Sequence, residues 1–347
     1  IASMFLGTAL MMFPASILMA HIGRRNGFLF GAFLGVLGGI IASIGIFYSS
    51  LSLLALGTLC VGAYQSFAQF YRFAASEVAN DAFRSRAISW VLAGGIVAAL
   101  IGPTLARFGG PLFQHLEYIG SFLIISIISL VAMGILSNLH IADTVEQKSN
   151  FTAGRPWQQI GFQPTYLVDL CGARTCYGFL ILGMTATPIA MRHSHHELGS
   201  ITTVIQLHVL GMFLPSFFTG HLIARFGVLK IMFAGLLLFV CYIGFALSGI
   251  QFASFAISLI LLGVGWNFLF IGSTSLLTGT YSVAEKAKAQ AINDMTVFVV
   301  GLICSFSAGA LLDLFGWKAM NIALIPWLVI AAASLFWLSQ KREKQLA

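Results

Sequence analysis

The sequence predicts an all-α membrane protein, on three observations: its composition, its series of apolar segments and the sidedness of its basic residues. Its 347 residues are 59% hydrophobic and 8% charged, with a mean hydropathy of +0.94. A soluble domain carries about 25% charged residues, so this chain must use lipid as its solvent. The net charge of +7 comes from basic residues scattered between apolar runs. That spacing forms no nucleic-acid footprint and reads as a topology signal facing anionic lipid. The five cysteines all lie inside apolar segments, without metal-site or disulfide spacing, and read as packing residues.

A membrane-spanning helix needs about 20 mostly apolar residues. About eleven segments qualify, at 1–20, 27–48, 51–79, 87–108, 117–139, 165–191, 198–220, 226–249, 251–281, 291–313 and 318–339. Alternating the loops between the two sides puts thirteen of the eighteen Lys and Arg on one side and only Arg107, Arg192 and Lys318 on the other. Arg72 and Arg174 fall within spans. Short cytoplasmic loops are the Lys/Arg-rich ones, so the first side is cytoplasmic and so is the C-terminus. The longest polar stretch, 140–164, is read as a cytoplasmic linker. Its Asn150-Phe151-Thr152 sequon is expected to stay unmodified there.

The junction "FPASILMAHIGRRN" (13–26) returns 204 residues later as "FFTGHLIARFGVLK" (217–230). Further pairs keep the order: "RSRAIS" (84–89) with "KAKAQA" (286–291), and "LARFGG" (105–110) with "LDLFGW" (312–317). A long internal period of this kind means duplication of a helical unit. It divides the chain into an N-terminal bundle (1–139), the linker, and a C-terminal bundle with a short tail (165–347). Subtracting the offset from Pro164 places the matching start about forty residues before Ile1. One further span is therefore expected upstream, giving two pseudo-symmetric six-helix bundles.

These repeated junctions resemble the loop signature G-x-L-x-D-R-x-G-R-R of the major facilitator superfamily (MFS) transporters. Leu18, Gly23, Arg24 and Arg25 match in the first copy; Gly220, Leu222, Arg225, Phe226, Gly227 and Lys230 match in the second. Gly23, Arg24, Arg25, Gly220, Arg225 and Gly227 are thus candidate gating residues. Ala20 and Ala224 stand where the family has an aspartate, so the clamp is expected to rest on other contacts, such as helix termini against Arg25 or Arg225. Gly94, Gly95, Gly102 and Pro103 resemble the family's antiporter motif in part and read first as a helix kink. The resemblance implies that 51–79, 165–191 and 251–281 line a central cavity.

Polar side chains deep in a membrane are costly and mark function by default. Arg174 lies about 13 Å into its span, with Tyr177 one turn on. With Gln65, Gln69, Trp266, Asn267, Gln206 and His208 they form the candidate substrate-binding set. Arg72 is expected near the cytoplasmic interface, paired with Glu77 or Asp81. Proton coupling needs an acid. None is read at mid-depth, which leaves Asp169 and Glu77 as coupling candidates. "RHSHHE" (192–197) reads as a solvated loop rather than a metal site. No cofactor, nucleotide or nucleophile motif occurs in the sequence.

The resulting expectation is a monomeric secondary active or facilitative transporter of a small organic solute, anionic or aromatic. It would work by alternating access in a bacterial inner membrane, with protons as candidate partners. The rivals are a non-transporting sensor of the same fold and a polytopic membrane enzyme.

Overall fold

The computed structural model describes residues 2–109, 118–139, 155–282 and 284–346. The linker up to residue 154, with Lys148 and the sequon, lies outside them, as do the side chains of Pro103 and Arg107. Among the described residues every regular element is a helix. In order these are α1 (Ala2–Ile22), α2 (Arg24–Phe47), α3 (Leu51–Gln69), α4 (Tyr71–Val78), α5 (Arg84–Ala93), α6 (Gly95–Gly109), α7 (Ile119–Ser137), α8 (Trp157–Gly161), α9 (Pro164–His193), α10 (Leu198–Phe213), α11 (Ser216–Phe226), α12 (Val228–Ser248), α13 (Phe252–Leu277), α14 (Lys286–Ile322) and α15 (Ile325–Leu346).

Ten stretches among them are long and apolar enough to cross a membrane. The last, Lys286–Lys344, changes direction at Gly316 (φ 77°, ψ 169°), which separates the two spans expected there. Short interruptions divide other spans: Phe70 between α3 and α4, Gly94 between α5 and α6, and Leu214-Pro215 between α10 and α11. Large apolar side chains such as Leu51, Ile135, Phe306 and Leu314 point outward. In a soluble protein this would be a defect; here lipid is the solvent.

By backbone contacts the chain forms two compact units. Unit 1 takes residues 1–74, 100–156 and 281–302. In it α2 packs on α3 and α7, and α1 packs on α3. Glycines let the backbones touch: a Cβ on Gly62 would lie 2.0 Å from the Met4 carbonyl oxygen, and one on Gly7 would lie 2.2 Å from that of Leu59. Helices in lipid associate through such small-residue contacts, because lipid tails are as apolar as leucine.

Unit 2 takes residues 75–99, 157–280 and 303–347. α13 is its hub, packed by α9, α10 and α12, while α11 packs on α5. In α9 and α13, 67% and 72% of the most apolar stretch is buried, against 22% to 44% in the other spans. These are two of the three segments expected to line a cavity. The third, Leu51–Val78, is 28% buried.

Candidate functional site

The site in unit 2 is assembled from α9 and α13. One side of α9 is cemented by close packing: Phe179 stacks on Phe239 at 4.6 Å, and a Cβ on Gly178 would enter the Trp327 ring. Arg174 and Tyr177 share another side, three residues apart. Arg174 stands ten residues into α9, about 15 Å along it. It is half-buried, and its Nε is enclosed with no hydrogen-bond partner among the described residues. No described carboxylate pairs with it. Asp169, five residues earlier, is fully buried.

Beside Arg174 lies a wall of rings. Tyr177 meets Trp266 edge-on at 6.2 Å and Phe270 at 5.6 Å. Trp266 and Phe270 stack at 4.7 Å with 14° between their planes, and Phe213 closes the other edge of Trp266 at 6.0 Å. Trp266 and Phe270 are one turn apart on α13, so the stack follows from i, i+4 spacing. The indole Nε1 of Trp266 is buried without an acceptor among the described residues. A guanidinium in a membrane interior is tolerated only against protein or a wet cavity. A half-buried arginine with no partner among the described residues, one turn from an aromatic wall, is suited to grip a planar solute carrying acceptors.

Other expected site residues are placed differently. Asn267 is fully buried and holds the α10–α11 break. Its amide donates to the Met212 carbonyl at 2.6 Å and to Ser216 Oγ at 2.6 Å, and accepts from Thr219 Oγ1 at 2.7 Å. Both its donors are spent, so it is a structural staple beside Pro215 rather than a free recognition group. His208 is likewise fully buried and donates from Nδ1 to the Leu259 carbonyl at 2.7 Å, tying α10 to α13. Gln206 is on the exposed side of α10.

Gln65 and Gln69 lie half-buried on α3, in unit 1. There Gln69 Oε1 accepts from Arg72 at 2.7 Å. Arg72 donates from Nη2 to both oxygens of Asp294, at 2.7 Å each, and lies over the Phe73 ring at 4.5 Å. Glu77 is half-buried on α4. Arg72 thus has Asp294 as a partner, beyond the Glu77 or Asp81 expected, and one expectation is corrected: an acid does sit deep in a span. The sequence reading began that span at 291, which made Asp294 look interfacial; the helix begins at Lys286 and buries it to 2%. The available signal was a lone aspartate within "AINDMTVFVV".

The repeated junctions share one backbone. Gly23 and Gly227 have φ/ψ of 83°/161° and 88°/151°, a conformation open essentially to glycine alone. Around the first copy, Arg24 is buried and donates to Gln290 Oε1 at 2.9 Å, and Arg25 donates to the carbonyl of Ser137, the last residue of α7. Arg25 thus meets a helix terminus within unit 1. Around the second, Arg225 lies over its neighbour Phe226 at 5.2 Å.

The family model of the Major Facilitator Superfamily matches residues 170–347. The chain is 41% identical over 332 residues to the riboflavin transporter RfnT of Brucella anthropi, covering 95% of this chain and 83% of that protein. It is 28% identical over 336 residues to the uncharacterized MFS-type transporter YdeG of Bacillus subtilis, covering 90% of this chain and 78% of that one. Among solved structures, the MFS transporter FucP in its outward conformation aligns with a TM-score of 0.75 at 16% identity, covering 96% of this chain and 88% of FucP. A bacterial homologue of the iron transporter ferroportin aligns with a TM-score of 0.76 at 14% identity, covering 97% and 89%.

The fold is that of a multi-pass transmembrane transporter of small solutes, not of an enzyme. The chain belongs to the Major Facilitator Superfamily.

Proposed function

We propose that this chain carries a ring-bearing organic solute with acceptor groups on its edge, of the riboflavin type, and that Arg174 grips it. The observation that carries the reading is the half-buried Arg174 with no partner among the described residues, one turn from Tyr177 of the Tyr177–Trp266–Phe270 rings on the two most enclosed helices of unit 2. Burying a charge in a membrane costs about 2.5–3.5 kcal/mol on insertion scales, and a solute that pairs with it offsets that cost. Similarity to a riboflavin transporter supports the same class of solute: a flat heteroaromatic ring rich in carbonyl and imine acceptors. Stacking on aromatic side chains adds about 0.5–1.5 kcal/mol per pair and disfavours a bare inorganic ion. Facilitated diffusion and proton-coupled uptake are the two energetic modes, and Asp169, buried on the same helix as Arg174, and Glu77 on α4 are the acids through which protons would act.

We further propose that residues 1–139 and 165–347 are the two halves of the internal repeat, joined by a cytoplasmic linker in a bacterial inner membrane, with the C-terminus in the cytoplasm. The basic residues support this sidedness. A reporter fused after Arg155 is expected to be active only in the cytoplasm; activity outside the cell would reverse the orientation. The solute is tested by riboflavin uptake into proteoliposomes holding the purified full chain. Saturable uptake above empty liposomes supports the assignment, and its absence overturns it.

A further inference from the structure

We propose that the indole Nε1–H of Trp266 is a specificity-determining hydrogen-bond donor to the solute, so that a transported ring must offer an acceptor at its edge. This rests on the reading that the α9–α13 ring cluster receives a ring-bearing solute.

Indole nitrogen is a donor only, and a buried tryptophan N–H ordinarily finds an acceptor. The chain satisfies that rule where the role is structural. Trp317, in the same unit and equally buried, donates from Nε1 to the Ala246 carbonyl at 2.8 Å. Trp266, only 3% exposed, has no acceptor at its Nε1 among the described residues. Leaving such a donor unmet costs about 1–3 kcal/mol, which a merely packed tryptophan could avoid by turning its ring. Turning is blocked here. Phe270 lies flat against the indole at 4.7 Å, while Phe213 and Tyr177 hold it edge-on at 6.0 and 6.2 Å. These neighbours hold the indole plane and restrict its rotation.

The second unmet donor points the same way. Arg174 Nε is also buried without a partner, on the helix that supplies Tyr177. Two orphan groups that both donate, on the two helices joined by the Tyr177–Trp266 ring contact, define a missing partner that accepts. A site built to hydrogen-bond its substrate rejects analogues lacking the matching group far more strongly than an apolar pocket rejects a change of size. Stacking would therefore select a flat ring, and Trp266 would select among flat rings.

The test measures binding to the purified full-length chain by quenching of flavin fluorescence. The probes are riboflavin, 1-deaza- and 5-deazariboflavin, and 2-thio- and 4-thioriboflavin, each analogue removing or weakening one edge acceptor. Trp266→Phe keeps a ring against Phe270 but deletes the N–H together with part of the indole's bulk, and the analogue series separates the two losses. It is expected to weaken riboflavin binding about tenfold, the size of one net hydrogen bond. One analogue is expected to bind the wild type correspondingly more weakly and to lose nothing further in Trp266→Phe. Unchanged riboflavin affinity in the variant, or an equal loss for all five probes, overturns the inference while leaving the proposed function intact. If the variant does not fold, the wild type still decides: five equal affinities overturn the inference. A wild type that binds no riboflavin removes the proposed function and this inference together.

Discussion

Ser16 and Gly220 stand 204 residues apart in sequence and occupy the same position of the repeated junction. Each seats on the equivalent residue of its partner helix. Ser16 Oγ donates to the Ala287 carbonyl at 2.7 Å in unit 1, and Ser85 Oγ donates to the Gly220 carbonyl at 3.2 Å in unit 2. Positions 85 and 287 are themselves equivalent in the repeat "RSRAIS"/"KAKAQA". The two seats differ in tightness. A Cβ on Gly220 would fall 2.7 Å from the Arg86 Cα and 2.8 Å from the Ser85 carbonyl oxygen, whereas Ser16 carries its side chain without conflict.

The asymmetry predicts opposite tolerances. Gly220→Ala meets backbone atoms that cannot rotate away, so it is expected to force α11 off α5 and lower transport at least tenfold, an overpacking cost of about 1–3 kcal/mol. Ser16→Gly removes one hydrogen bond worth about 1 kcal/mol and is expected to keep more than half of wild-type uptake. Uptake rates normalised to the amount of protein in the membrane check both. Equal sensitivity at the two positions would contradict the comparison.

A second prediction concerns Arg72 and Asp294, a bidentate pair with both side chains at 4% exposure or less. Breaking a buried pair by removing one partner strands the other charge, at about 3–5 kcal/mol, whereas replacing both with apolar groups is often near neutral. Asp294→Leu alone should therefore lower the melting temperature of the detergent-solubilised protein sharply, and Arg72→Met/Asp294→Leu should recover most of the loss. A double variant no more stable than the single one would show that the pair is not self-contained.

The third is a pH dependence outside the membrane spans. Arg155 donates to Glu285 through its backbone N, Nε and Nη2, each at 2.8 Å, and the Ser282 backbone N–H adds another bond at 2.9 Å. These donors, the Arg155 side chain foremost, hold the Glu285 carboxyl well below the ordinary carboxylate range. A depressed pKa means stabilisation fully present above the unfolded-state value, about 4.3, and lost only as pH falls through the lower folded value. Protection of the segment around Arg155 from proteinase K should therefore be constant from pH 8 to pH 6 in the wild type and be lost at every pH in Glu285→Gln. Unaltered cleavage in the variant would refute the pin.

Much of this molecule was legible in its sequence, and the parts that were not share a cause. Apolar run length located the spans, because lipid imposes one length scale on every helix. Gly23 and Gly227 stood out because the junction repeats, and the structure supplies the reason: their shared backbone is open essentially to glycine alone. Arg174, Tyr177 and Trp266 were singled out from depth, residue type and the helices that the family resemblance assigns to the cavity, and the structure brings the last two into ring contact. What failed was partnership between distant segments. Nothing local in "AINDMTVFVV" says that Asp294 meets Arg72, 222 residues away. Nor does the sequence show that Asn267 spends its amide on the α10–α11 break beside Pro215. Polarity in a span announces that a partner exists; which partner is decided by packing.

The central claim is that Arg174 holds the solute. Its most direct test is the concentration dependence of radiolabelled riboflavin uptake into proteoliposomes containing the wild type, Arg174→Lys or Arg174→Ala. Lysine keeps the charge but loses the planar fork, so Arg174→Lys should raise the apparent KM about tenfold or more, the size of one charge-assisted hydrogen bond. Arg174→Ala should abolish saturable uptake while inserting at wild-type levels. Uptake by Arg174→Ala with wild-type KM and maximal rate would contradict the account and return Arg174 to a purely structural role.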